Sequence, residues 1–127
     1  MVGFDVRKIS LEDIDDILRL NRDLDYSSIK SITEDENSMI IVAQLNDEII
    51  GYIEFTIAND TSYKKKLAIN EIVVEEEYRG LGVGHQLMIE AEKYAIDYNA
   101  AFIVAIYNKY KDEEVNFYNR QGFKIER

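Results

Sequence analysis

The apolar positions follow a strand period at the start of the chain and a helical period soon after. Residues 4–9 read as a short strand. Ser10 then reads as a helix N-cap, and Asp13 three residues on stands where a capping box carries Glu. Leu11, Ile14, Ile17 and Leu18 recur at helical spacing through about residue 22. A second, shorter helix is expected over 27–33. The apolar run 39–43, the turn pair Asn46-Asp47 and the run 49–57 predict a β-hairpin. A polar loop over 59–66 leads to a strand over 67–74, and a glycine-bearing loop over 75–84 follows. Leu87, Met88, Ala91 and Ala95 share one face of a helix over 86–98. A strand over 101–107, a short helix over 113–120 and an extended piece opened by Gly122 complete the reading. Hairpin-linked strands come first and strand–helix alternation comes later. That order predicts an α/β fold with a mixed sheet and helices on both faces.

Composition narrows the class. The chain has 127 residues, 46% of them hydrophobic, which suits a single folded domain over 1–127. It has no cysteine, which excludes disulfides, thiolate metal sites and a cysteine nucleophile. No signal-like or membrane-length apolar run is found, and the expected location is cytoplasmic. The formal net charge of −10 disfavours nucleic acid and anionic membranes as partners and tilts toward a cationic one.

The segment that carries chemistry is Arg79-Gly80-Leu81-Gly82-Val83-Gly84, between a Val-rich strand and a helix. Glycines allow close backbone approach, successive amides form an anion-binding nest, and a helix N-terminus adds unpaired N–H groups. Arg79 adds a fixed positive charge. A pyrophosphate suits such a cradle. A P-loop would need Gly-Lys-Ser/Thr, whereas Gly84 is followed by His85-Gln86. The dinucleotide fingerprint places its third glycine three residues after its second, and here the step is two.

Arg79-x-x-Gly82-x-Gly84 after a Val-rich strand resembles the acetyl-CoA-binding motif of the GNAT N-acetyltransferase superfamily. Downstream, Phe117-Tyr118-Asn119-Arg120-Gln121-Gly122-Phe123 resembles that family's second signature, a Tyr on a short helix followed by Gly-Phe. The element order agrees over nearly the whole chain.

The resemblance implies a GNAT-like fold with a mostly antiparallel sheet splayed at the cofactor site. It implies acetyl-CoA as co-substrate, no metal, and direct transfer to an amine of a small molecule or peptide. The backbone of Arg79, Gly80, Leu81, Gly82, Val83 and Gly84 would hold the pyrophosphate. Ile72, Val73 and Val74 would pair with the pantetheine arm, and the amide of Val73 or Val74 would face the thioester carbonyl. Tyr118 matches the family's frequent general acid. Glu71 matches its carboxylate base, which some relatives carry one residue earlier, at Asn70 here; neighbouring strand residues face opposite sides unless a bulge intervenes. A further base position used by other relatives falls near Ile106.

Relatives often place an Asn where this chain has Lys111, and Asn108 or Asn116 would substitute for it. His85 reads as lying near the CoA phosphates or solvent rather than as catalytic, and the run Lys64-Lys65-Lys66 as a solvated loop. Relatives continue through a last strand beyond the position of Arg127. That leaves a shortened chain, a minimal version, or a strand supplied by a second copy in a homodimer. The alternative to an enzyme is a non-catalytic acyl-CoA-binding module on the same fold.

Overall fold

The computed structural model describes residues 3–59, 62–106 and 111–124. Five strands form one sheet in the order β1-β2-β3-β4-β5: β1 Asp5–Lys8, β2 Ser38–Leu45, β3 Glu48–Asn59, β4 Lys65–Val74 and β5 Phe102–Ala105. β1 to β4 pair antiparallel, and β5 joins β4 in parallel. Four helices, α1 Ile14–Leu20, α2 Tyr26–Glu34, α3 Val83–Asp97 and α4 Asp112–Arg120, cover the two faces.

Local chemistry explains several boundaries. A single 3-10 turn over Leu11–Asp13 precedes α1, and Asp13 accepts the Ser10 backbone N–H at 2.7 Å, the expected half of a capping box. Asp13 also takes two hydrogen bonds from Arg7, at 2.8 and 2.9 Å, which ties β1 to this helix start. β2 and β3 meet through the two-residue turn Asn46-Asp47, with Asn46 at φ 56°.

Each face has its own core. Ile14, Ile17 and Ile29 from α1 and α2 pack with Ile40, Val42, Ile49 and Tyr52. On the other face Val83, Leu87, Met88, Ala91 and Ala95 of α3 pack with Ile41, Ile53, Phe55, Leu67, Ile69 and Tyr118. The strand alternation 40/42 against 41/43 divides β2 between the two cores.

Several boundaries differ from the sequence expectation. β3 runs on to Asn59 and β4 begins at Lys65, so Lys65 and Lys66 lie in the ladder, opposite Asn59 and Ala58. α3 begins at Val83 rather than at 86, because Gly82 already serves as its N-cap at φ 88°. β5 is shorter than expected and ends at Ala105.

Candidate active site

The site is built around the second half of β4. Pairing of β4 with β5 runs from Lys66↔Phe102 to Ile69↔Ala105, and the Ile106 N–H donates to the Ile69 carbonyl at 3.0 Å. From residue 70 onward β4 has no ladder partner on that side among the described residues. The sheet opens there, as expected. The Glu75 N–H turns to β3 and donates to the Ile50 carbonyl at 2.8 Å. By strand alternation the Val73 amide also faces β3, while those of Ile72 and Val74 face the gap. Of the neighbouring Val73 and Val74 amides, that of Val74 is the one turned away from β3.

A bulge sits in β4 at this point. Glu54 pairs with Glu71 and Phe55 with Ile69, which leaves Asn70 as the extra residue. The Asn70 amide donates to Thr56 Oγ1 at 3.0 Å and to Glu54 Oε2 at 3.3 Å. The Glu71 carboxylate takes a hydrogen bond from Asn21 Nδ2 at 2.8 Å and another from the Tyr52 hydroxyl, both on Oε1. Burial pushes the Glu71 carboxyl above its ordinary range, and the Asn21 bond works against that rise. Glu114 and Asp23 push it further up, while Lys111 pulls it down. Burial raises Glu54 in the same way, offset by its bond from Asn70.

At the end of β4 the chain makes a 3-10 turn over Glu76–Tyr78 and enters the glycine loop. Gly80 and Gly82 have φ of 80° and 88°, a region other residues avoid. A Cβ at either position would meet nothing within 4 Å, so the loop backbone faces open space. The amides of Val83, Gly84 and His85 lie in the first turn of α3, before the first helical bond from Gln86 to Gly82 at 3.0 Å. Together these groups line one open concavity. The Arg79 amide is not part of it, because it donates to the Glu76 carbonyl at 3.2 Å. Gly84 is helical, and a Cβ there would stand 2.8 Å from Cε1 of Phe117. The Arg79 side chain folds back to the Val74 carbonyl at 3.0 Å and pairs with Glu113 of α4 at 3.2 Å.

Tyr118 closes the site from α4. It is 4% exposed and packs edge-on against Phe117 and Phe123, with ring centroids 5.4 and 5.3 Å apart. Burial pushes its phenol up to about 12, and the charges of Glu114 and Glu71 add to the rise. Glu71 and Tyr118 are thus within electrostatic reach of each other, though they belong to opposite faces of the sheet. The Tyr-x-x-x-Gly-Phe signature is also a helix stop. Gly122 at φ 93° donates its N–H to Asn119 at 3.1 Å, and the Phe123 N–H reaches back to the Tyr118 carbonyl at 3.0 Å. This is a Schellman motif with its hydrophobic contact, Phe123 on Tyr118.

The remaining expectations separate. Asn116 is exposed on α4, and Asn108 lies outside the described residues. His85 is exposed and bonds Gln121 through Nδ1 at 2.9 Å. Among the described residues no His/Cys/Asp/Glu group could hold a metal ion, and no helix is long and apolar enough to cross a membrane. Asn21, Tyr52 and Glu54 were not singled out by sequence. Tyr52 and Glu54 lie in an ordinary strand pattern, and Asn21 stands 50 positions from the carboxylate it touches.

The profile of the acetyltransferase (GNAT) family matches residues 8–123. The chain belongs to that family. An N-alpha-acetyltransferase of Sulfurisphaera tokodaii is 27% identical over 132 residues, covering 94% of this chain and 79% of that protein. Among solved structures, a transcriptional regulator from Bacillus halodurans superposes with TM-score 0.86 at 23% identity, covering 96% of this chain and 93% of the other. A ribosomal-protein-alanine N-acetyltransferase from Brucella melitensis superposes with TM-score 0.84 at 14% identity, covering 98% and 94%. The mixed, opened sheet is the GNAT fold, and the chain falls in the acetyltransferase class.

Proposed function

We propose that this GNAT domain transfers the acetyl group of acetyl-CoA directly to a primary amine. The observation that carries the reading is the convergence on one opening of the sheet. The free β4 amides lead into the glycine loop, and Glu71, itself on β4, lies within electrostatic reach of Tyr118 on α4. The residues fit the co-substrate: Gly80 and Gly82 leave clear the space a pyrophosphate needs, and the amides of Val83, Gly84 and His85 lie in the first turn of α3.

Bound acetyl-CoA would supply an activated acyl group. Gly80, Leu81, Gly82, Val83 and Gly84 would hold its pyrophosphate through their amides. Ile72 and Val74 would pair with the pantetheine arm, and the Val74 N–H would donate to the carbonyl oxygen as negative charge grows on it. Glu71, with its raised affinity for a proton, would take one from the acceptor's ammonium. Tyr118 would give its proton to the departing sulfur. The paired amine and thioester need no covalent enzyme intermediate, so most of the rate would come from alignment.

The Sulfurisphaera tokodaii relative, named an N-alpha-acetyltransferase, supports an α-amine as acceptor, and the acidic chain favours amines that carry further positive charge. The test is acetyl-CoA-dependent thiol release across peptides with free N-termini, aminosugars and diamines. Acceptor-dependent release establishes the reaction and its substrate class. Tight acetyl-CoA binding without release above background replaces it with the binding module.

A further inference from the structure

The hydrogen bonds behind Glu71 have a fixed direction. The Asp23 backbone N–H donates to Asn21 Oδ1 at 3.0 Å. A backbone N–H only donates, so this bond decides the orientation of the Asn21 amide. Its Nδ2 must then point the other way, where it donates to the Tyr52 hydroxyl oxygen at 3.2 Å and to Glu71 Oε1 at 2.8 Å. With its oxygen already accepting, the Tyr52 phenol turns its own proton to Glu71 Oε1. Tyr52 is 1% exposed and locked in the core under α1 and α2, so it cannot swing away without unpacking that face. Asn21 is the residue that ends α1, and its own N–H bonds Ile17 at 2.9 Å.

Both donors meet on one oxygen. Oε1 accepts from both, and each turns only a hydrogen toward it. Oε2 has no hydrogen-bond donor among the described residues. Resting on the reading of Glu71 as base, we infer that Asn21 and Tyr52 are its positioning residues: they hold Oε1 so that the acceptor's proton must land on Oε2. The transfer is simple: an N–H bond of the ammonium breaks, an O–H bond on Oε2 forms, and the nitrogen keeps the electron pair that attacks.

The same bonds set when the base is ready. The Asn21 bond favours the charged carboxylate and opposes the burial that favours the neutral acid, and the Tyr52 hydroxyl donates to the same oxygen. The other titratable groups around Glu71 are Asp23 at the α1 end, Glu54 on β3, and Lys111, Glu114 and Tyr118 from the α4 side. None of them donates to Oε1, so removing either positioning residue leaves its lost contribution uncompensated.

The experiment is a kcat/KM pH profile for wild type, Tyr52→Phe, Asn21→Ala and Glu71→Gln, with acetyl-CoA affinity measured in parallel. The expected result is an acid limb moved up by roughly one pH unit in each positioning variant, the worth of one charge-assisted hydrogen bond. kcat should fall while acetyl-CoA affinity holds. Asn21→Ala, at a partly exposed helix end, keeps the test valid if Tyr52→Phe does not fold. Loss of the acid limb in Glu71→Gln with no shift in the other two variants overturns the positioning role and keeps the base. An unchanged profile in Glu71→Gln overturns the base and the positioning role with it.

Discussion

Asn70 and Glu71 are adjacent in the chain yet present their side chains on the same face of the sheet. Asn70 bonds Glu54 and Thr56, and Glu71 bonds Tyr52. Tyr52, Glu54 and Thr56 alternate along one side of β3, so both partners must lie there. The bulge makes this possible. It also removes the conflict between a base at 71 and a base at 70, since either position reaches the same side.

Glu71→Gln should therefore lower kcat/KM by about 10²–10⁴ and remove the acid limb of the pH profile. Steady-state kinetics with a saturating amine checks it. Because Asn70 is turned toward Glu54, it should not take over, and residual activity should not depend on residue 70.

Tyr118→Phe should lower kcat far more than acetyl-CoA affinity. The ring contacts with Phe117 and Phe123 survive the change, so the fold should persist. In the wild type, a phenol pushed up to about 12 stays protonated through the neutral and mildly alkaline range. No alkaline loss of activity attributable to Tyr118 is expected below about pH 10. Kinetics of both proteins across that range provides the comparison.

Two glycines of the same loop should fail differently. Gly82→Val places a branched side chain at φ 88° in the space over the nest, and acetyl-CoA binding should be lost by calorimetry. Gly84→Ala drives a methyl into the Phe117 ring and should cost about 1–3 kcal/mol of stability, read from denaturant unfolding.

The Arg7–Asp13 pair predicts acid sensitivity. Burial alone would raise the Asp13 carboxyl, but hydrogen bonds from Arg7 and Ser10 outweigh it and leave the group below its ordinary value. The ionised form thus favours the fold. Its contribution is complete above the unfolded value near pH 4 and disappears as pH falls through the lower folded one. Asp13→Asn should cost about 1–2 kcal/mol at neutral pH and flatten stability below about pH 4. Thermal unfolding at neutral and acidic pH tests both parts.

Much of this architecture is legible in the sequence because it rests on local chemistry. Ser10 and Asp13 announce a helix start, Asn46-Asp47 a hairpin, and Gly80 and Gly82 a loop that only glycine can make. The parts that were not legible depend on distant partners. The bulge at Asn70 arises from a register shift against β3, which no local pattern marks. Gly84 looks like a loop glycine until Phe117, 33 positions on, is packed against it. Arg79 looks like a free cation until α4 brings Glu113 to it.

The helix stop at Gly122 changes what its signature can tell about other chains. Phe123 is bound to Tyr118 by one backbone bond and one ring contact, and Gly122 bonds Asn119 between them. Selection for a helix that ends cleanly would keep the three residues even in a protein that had given up acetylation. As a diagnostic, Tyr-x-x-x-Gly-Phe therefore reports architecture. An inactive descendant would keep it and lose instead the carboxylate at 71 and the donors that hold it.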